Sequence, residues 1–248
     1  MTPTPLDILA IAAHRDDVEQ TCGGTLLKAA QRGQQTGILD LTQGEMGTRG
    51  TAEDREREAN DAAKLLGVNW RRALDIPDGR VENTWENRLK VAGVIRETRP
   101  RVVILPYWKG RHPDHYTCSV LGYEACFLAG LKKLDPAAAR GGKPSDFAPH
   151  RPFKIVYATL YYDVRPTFVV DISEQFEGKL ASILAYKSQF SDQEAGKDLF
   201  PAHDEIRARV DSMARFYGAL GGVTRAEPFL QKEVGLVDDL LAIPVKSI

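Results

Sequence analysis

Two short strings in the chain hold residue types able to bind a metal ion: Ala13-His14-Arg15-Asp16-Asp17 and His112-Pro113-Asp114-His115. Imidazole nitrogens and carboxylate oxygens together suit a divalent ion of the zinc type. Each string alone has a plainer meaning, because paired Asp residues after a strand make a turn or helix cap and Asp114 can cap a helix. Together they use three of the chain's five histidines. Three protein ligands, His14, Asp17 and His115, would leave one position open, as catalytic zinc sites do and structural ones do not. Only one of two adjacent Asp side chains need face the ion, and the other can serve as a general base toward water.

Chemistry between strings so distant in sequence needs a fold that brings them together. The chain alternates short apolar runs with amphipathic stretches of helical length, which predicts an α/β fold with a Rossmann-like, mostly parallel sheet flanked by helices. Strands are expected at Leu6 to Ala13, Thr36 to Leu41, Trp70 to Leu74 and Val102 to Leu105. Both strings then follow strand carboxyl ends, where parallel sheets gather ligands. Thr51 is expected to cap a helix that Gly67 closes, and Asn83 with Glu86 resembles a capping box for the next helix. Residues Leu134 to Phe153 show no apolar period and read as a surface excursion. Beyond them, Ile155 to Tyr162 and Thr167 to Asp171 read as strands joined by a turn at Arg165 and Pro166. A helix should start near Ser173 and run past Tyr186, and another should span His203 to Ala219. A length of 248 residues fits one domain, 1–248.

A formal net charge of -1 gives no attraction for nucleic acid or an anionic membrane surface, so the expected partner is a small molecule. Cys22, Cys118 and Cys126 lack disulfide or metal spacing and read as buried, reduced thiols. The apolar run Ile8 to Ala13 is too short to span a bilayer, and the expected location is cytoplasmic. Gly23, Gly24 and Thr25 read as a packing element ahead of a helix. Trp85, Phe127, Tyr161 and Tyr162 read as core or subunit contacts, and His150 and His203 as surface residues.

The two strings resemble the motifs of the LmbE/PIG-L family of zinc-dependent deacetylases, in which Ala-His-Pro-Asp-Asp is usual for the first; here Arg15 replaces the proline. Gly23 to Thr25, Asp40 to Thr51 (DLTQGEMGTRGT), Trp108 to His115, and Phe168 to Phe190 with VVDISEQFEGK and YKSQF are similar to the bacillithiol-pathway N-acetylglucosaminyl-malate deacetylases. The resemblance implies Zn2+ on His14, Asp17 and His115, Asp16 as general base, and His112 as oxyanion stabiliser or proton-transfer aid. Asp114 would orient a histidine ring. Arg55, with Arg49 second, would grip the malate-bearing end of the substrate, although Arg55 to Glu58 also reads as a solvated mixed-charge face. The implied reaction releases acetate from an N-acetylated sugar conjugate. The family also implies a homo-oligomer, hexamers included. Rival readings are a deacetylase or amidase of another N-acetylated saccharide or thiol conjugate, and a non-catalytic α/β small-molecule-binding module. A His2Asp set admits iron or manganese as well as zinc.

Overall fold

In the computed structural model, residues 5–159, 162–190 and 203–245 are described. The strands are β1 (Ile8–Ala12), β2 (Thr36–Asp40), β3 (Trp70–Ala73), β4 (Val102–Pro106), β5 (Lys154–Ala158), β6 (Phe168–Asp171) and β7 (Ala226–Leu230). The helices are α1 (Asp17–Gln31), α2 (Ala52–Leu65), α3 (Trp85–Thr98), α4 (Pro113–Ala129), α5 (Phe176–Leu184), α6 (Lys187–Phe190) and α7 (His203–Gly221). One sheet runs in the order β3-β2-β1-β4-β5-β7-β6. The first five strands are mutually parallel, whereas β7 runs antiparallel to both its neighbours. This is the mostly parallel α/β architecture expected from the sequence.

Strand β1 explains the layering through its period of two. Leu9, Ile11 and Ala13 join Val91, Ile95, Cys118 and Leu121 of α3 and α4 in one apolar layer. Ala10 and Ala12 face the opposite layer with Val18, Cys22 and Leu26 of α1. Both sheet faces are therefore covered, as parallel sheets require. Close packing demands small residues at contact points: a Cβ at Gly122 of α4 would lie 2.4 Å from Leu105 Cδ2.

The structure corrects several local expectations. Gly23, Gly24 and Thr25 lie inside α1, just past a kink at Cys22 (φ -139°, ψ 18°), and do not precede a helix. The amides of Gly24 and Thr25 donate to the buried Glu227 carboxylate, at 2.8 and 2.7 Å, and Lys179 Nζ lies 2.6 Å from the same group. Thr84, not Asn83, caps α3 and accepts from the Asn87 amide. Thr51 does cap α2, in a capping box with Asp54, and Gly67 follows in the left-handed region at φ 65°. Strands β5 and β6 do not pair directly, because β7 lies between them. Strand β7 escaped the sequence reading: Glu227 and Pro228 break its apolar alternation, and proline is uncommon within sheets. The helix expected to run past Tyr186 is divided into α5 and α6. Residues 134–153 carry only a 3-10 turn, Ala138–Arg140. The expected strand end at Tyr162 moves back to Ala158; Tyr161 and the His203 side chain fall outside the described residues.

Helix α4 departs from the usual surface helix. Its outward positions Tyr116, Val120, Tyr123 and Phe127 are 40%, 41%, 37% and 47% exposed, and their spacing follows one helical stripe. Trp85, placed in the core or a subunit contact by sequence, is 49% exposed. No helix among the described residues is long and apolar enough to cross a membrane.

Candidate metal centre

Strand β1 pairs with β2 on one side and β4 on the other. It is the point where strand order reverses, and a crevice opens there beyond the carboxyl ends. β1 delivers His14 to Asp17 to this crevice, and β4 delivers the loop that leads into α4. His112 is the N-cap of α4, its Nδ1 accepting from the Asp114 amide at 3.2 Å, and Pro113 takes the first helical position. His115 follows one turn inside the crevice.

The two strings meet. His14 Nδ1 lies 3.2 Å from His115 Nε2 and 3.4 Å from Asp17 Oδ2, and His115 Nε2 lies 3.2 Å from Asp17 Oδ1. Ligand bonds of about 2.0–2.2 Å place donors in a tetrahedral shell roughly 3.3–3.6 Å apart, so this spacing fits one small ion. His14, His112 and His115 also bring one donor atom each within 4.8 Å of one another, as do His14, Asp78 and Asp114. His112 Nδ1, however, is engaged in capping α4.

Electrostatics point the same way. Asp16, Asp17, Asp78 and Asp114 surround the imidazoles. Burial opposes charge on His14, yet Asp114, Asp17 and Asp78 outweigh it and push the ring's pKa up to about 12. Burial likewise disfavours the Asp17 carboxylate, but His115 and His14 hold its pKa well below the ordinary range. The pocket thus stabilises positive charge, which a divalent ion supplies more strongly than a proton. His112 moves the other way: burial, then His14 and His115, lower its pKa. Its ring is neutral near pH 7, and with Nδ1 accepting, the proton sits on Nε2.

Asp16 occupies the left-handed region at φ 110° and makes no capping bond to α1. Such a conformation costs a non-glycine residue about 1–3 kcal/mol and persists only where its surroundings impose it. Here Arg55 donates to the Arg15 carbonyl and, at 3.2 Å, to Asp16 Oδ1. Gln20 Nε2 lies 3.4 Å from Asp16 Oδ2. Arg15, where proline is usual, is buried and donates to Ala52 O at the start of α2 across 2.8 Å. It ties the β1 turn to α2. Burial raises the Asp16 pKa to about 7, with Arg55 acting against it.

Asp16, Asp17, His112 and His115 line a cavity of about 350 Å³. Arg49 and Arg55 do not. Arg55 is 5% exposed and engaged with Asp16, and Arg49, 4% exposed, donates to the Gln189 carbonyl at 3.2 Å. Among the described residues, the cationic side chains of lysine and arginine lining the cavity are Lys109 and Arg111, both in the β4–α4 loop. The sequence reading passed over them, although they immediately precede His112 on the same rim. It also passed over Asp78, whose Oδ1 lies 3.0 Å from His14 Nε2, because Pro-Asp-Gly reads simply as a turn. Asp114 Oδ2 lies 3.3 Å from the same nitrogen. His150 is half-buried and bonded to Pro100 O, and all three cysteines are buried and free.

Residues 9–126 match the model of the PIG-L family, described as GlcNAc-PI de-N-acetylase. Diacetylchitobiose deacetylase of Thermococcus kodakarensis is 32% identical over 231 residues, covering 89% of this chain and 80% of that protein. The chain belongs to the PIG-L family. Among solved structures, the conserved protein TT1542 of Thermus thermophilus superposes with a TM-score of 0.81 at 38% identity, covering 94% of this chain and 98% of that one. N,N'-diacetylchitobiose deacetylase of Pyrococcus horikoshii gives 0.77 at 26% identity, covering 90% and 82%. Family membership and the converging donors identify this PIG-L chain as a metal-dependent N-deacetylase.

Proposed function

We propose that the chain hydrolyses the acetamide of an N-acetylglucosaminyl conjugate, with zinc held by His14, Asp17 and His115 and with Asp16 as general base. The observation that carries this reading is the meeting of those three donor groups at 3.2 to 3.4 Å beside the Asp16 carboxylate. When bound, the ion supplies Lewis acidity to water and to the acetamide carbonyl. Asp16 Oδ1 is paired with the Arg55 guanidinium at 3.2 Å and Oδ2 is held only loosely by Gln20 at 3.4 Å, so Oδ2 is the freer oxygen to accept the proton of the attacking water. The neutral His112 ring offers Nε2–H to the carbonyl oxygen as negative charge develops there. As the C–N bond breaks, Asp16 returns its proton to the departing nitrogen, giving acetate and a free amine.

For the conjugate, we propose N-acetylglucosaminyl-malate, as in bacillithiol synthesis. Lys109 and Arg111 on the cavity wall favour an anionic aglycone. Diacetylchitobiose is the second reading, favoured by the relative that carries that name. Acetate release from the malate conjugate, diacetylchitobiose and an N-acetylglucosaminyl-inositol at equal concentration separates them. Faster turnover of diacetylchitobiose would reject the malate assignment. Metal analysis of the active preparation separates zinc from iron or manganese.

We also propose that the chain works as a single-domain homo-oligomer in the cytoplasm. The apolar stripe on α4 supports self-association, and the three buried, unpaired thiols suit a reducing compartment. Light scattering tests the first point, since Tyr123→Glu should yield smaller particles; a wild-type monomer rejects it.

A further inference from the structure

The cavity beside the metal centre has two unlike ends. Its rim carries Lys109, Arg111 and the donor side chains, whereas its inner wall is built from Ala10, Ala12, Ile104 and Ala158 of the sheet and Val18 and Cys22 of α1. Strand register explains this wall. Ala10 and Ala12 project from one face of β1, Ile104 of β4 is paired with Ala10, and Ala158 belongs to the same layer. Val18 and Cys22, four positions apart on α1, close it from the other side. On the opposite face of β1 the matching positions are Leu9 and Ile11, which fill their layer. Alanines at 10 and 12 leave theirs open. Ala10 lies two residues behind Ala12, about 6–7 Å further from the metal rim at the usual strand rise.

The inner wall offers a polar ligand little. Thr21, which also lines the cavity, spends its hydroxyl hydrogen on the Asp17 carbonyl at 2.8 Å. Burial pushes the Cys22 thiol up and keeps it neutral. A sugar pressed against this wall would lose its hydrogen bonds to water without replacement, so its hydroxyls stay at the rim and the acyl group of the amide points inward. An acetyl methyl is close in size to one water, about 30 Å³. It covers only the first part of the wall in a cavity of about 350 Å³.

We infer that the inner wall is an acyl-chain subsite, and that the protein cleaves glucosaminides carrying straight N-acyl chains longer than acetyl faster than the N-acetyl compounds. The inference rests on the proposed hydrolysis and names the acyl group that the same site takes. The reaction balances as before. Water supplies its oxygen to the acyl carbon, the C–N bond breaks, the nitrogen takes a proton, and a short-chain fatty acid leaves in place of acetate.

Each methylene moved from water onto the wall raises kcat/KM about three- to fourfold. Amine release from N-acetyl-, N-butanoyl- and N-hexanoylglucosamine, followed with fluorescamine, should give kcat/KM about tenfold higher for butanoyl than for acetyl. Ala10→Val narrows the inner end and should lower the hexanoyl-to-acetyl ratio. Acetyl cleaved fastest by the wild type would overturn the inference while leaving deacetylation intact, and an unchanged ratio in Ala10→Val would overturn it too. Should Ala10→Val fail to fold, the wild-type series decides alone. If none of the three is cleaved, the hydrolysis reading fails for this sugar, and calorimetry on the same zinc-loaded protein decides the subsite. Tighter binding of N-hexanoyl- than N-acetylglucosamine, with a more negative heat-capacity change, supports it, and equal binding overturns it.

Discussion

The Arg55 guanidinium reaches from α2 to donate to the Asp16 carboxylate across 3.2 Å, joining two residues 39 positions apart. At 5% exposure the side chain is turned into the fold toward that carboxylate. Its two acceptors, Asp16 and the Arg15 carbonyl, belong to the strained turn after β1. Arg55→Met should lower kcat by about tenfold or more while leaving KM within about threefold, because it disturbs the base and leaves Lys109 and Arg111 in place. A rise in KM at unchanged kcat would instead return Arg55 to the substrate.

Replacing the base itself separates chemistry from metal binding. Asp16→Asn should lower kcat by roughly 10²- to 10⁴-fold, with zinc content by atomic emission equal to wild type. Loss of the metal in this variant would make Asp16 a ligand and not a base.

Metal removal should be visible in stability without any substrate. An ion that binds only the folded chain adds about 4 kcal/mol when free metal is about a thousandfold above its Kd. Chelated protein should therefore melt several degrees lower in calorimetry, and zinc should restore the transition. Identical melting of both forms would count against a site built from His14, Asp17 and His115.

The buried Lys179–Glu227 pair binds α5 to β7 and to the kinked segment of α1. Lys179→Met leaves the Glu227 carboxylate without its cation in an apolar setting, at an expected cost of about 3–5 kcal/mol in denaturant unfolding. The double variant Lys179→Met/Glu227→Gln should recover part of that loss, which equal destabilisation of single and double variants would contradict.

Asp211 gives a pH signature far from the metal centre. Its oxygens accept from Arg225 at 2.6 Å and Arg215 at 2.7 Å. Partial burial works against the carboxylate, but the two guanidiniums hold its pKa below 3.8. A folded-state value below the unfolded one means stability that is fully present above about pH 3.9 and is lost as pH falls through the lowered value. Asp211→Asn should melt slightly below wild type at pH 7, with the difference closing between about pH 4 and 3. A difference that stayed constant would assign the loss to packing.

The parts of the molecule that sequence could convey are those written in local chemistry. The runs around Leu9, Ile38 and Val103 announce parallel strands because both sheet faces are apolar, and Thr51 announces its helix because its hydroxyl caps the Asp54 amide. The meeting of His14 and His115 was legible because both strings follow strand ends. The burial of Arg49 and Arg55 was not legible, because an arginine beside glycines reads as exposed and contacts such as Asp16 for Arg55 and Gln189 for Arg49 lie 39 and 140 positions away. Asp78 was missed for a related reason: its contacts reach residues 32 and 64 positions away, and no local period encodes them. Strand β7 was illegible because β6 and β5 support it, not its own composition.

The donors that converge on one point come from the first and the fourth strand, and neither string supplies the whole set alone. A chain still emerging from the ribosome cannot hold the ion until His115 has been made and β4 has zipped onto β1. Metal capture is thus gated by the docking of one strand on another and cannot seed it, although β5, β6 and β7 are still to be added to the sheet.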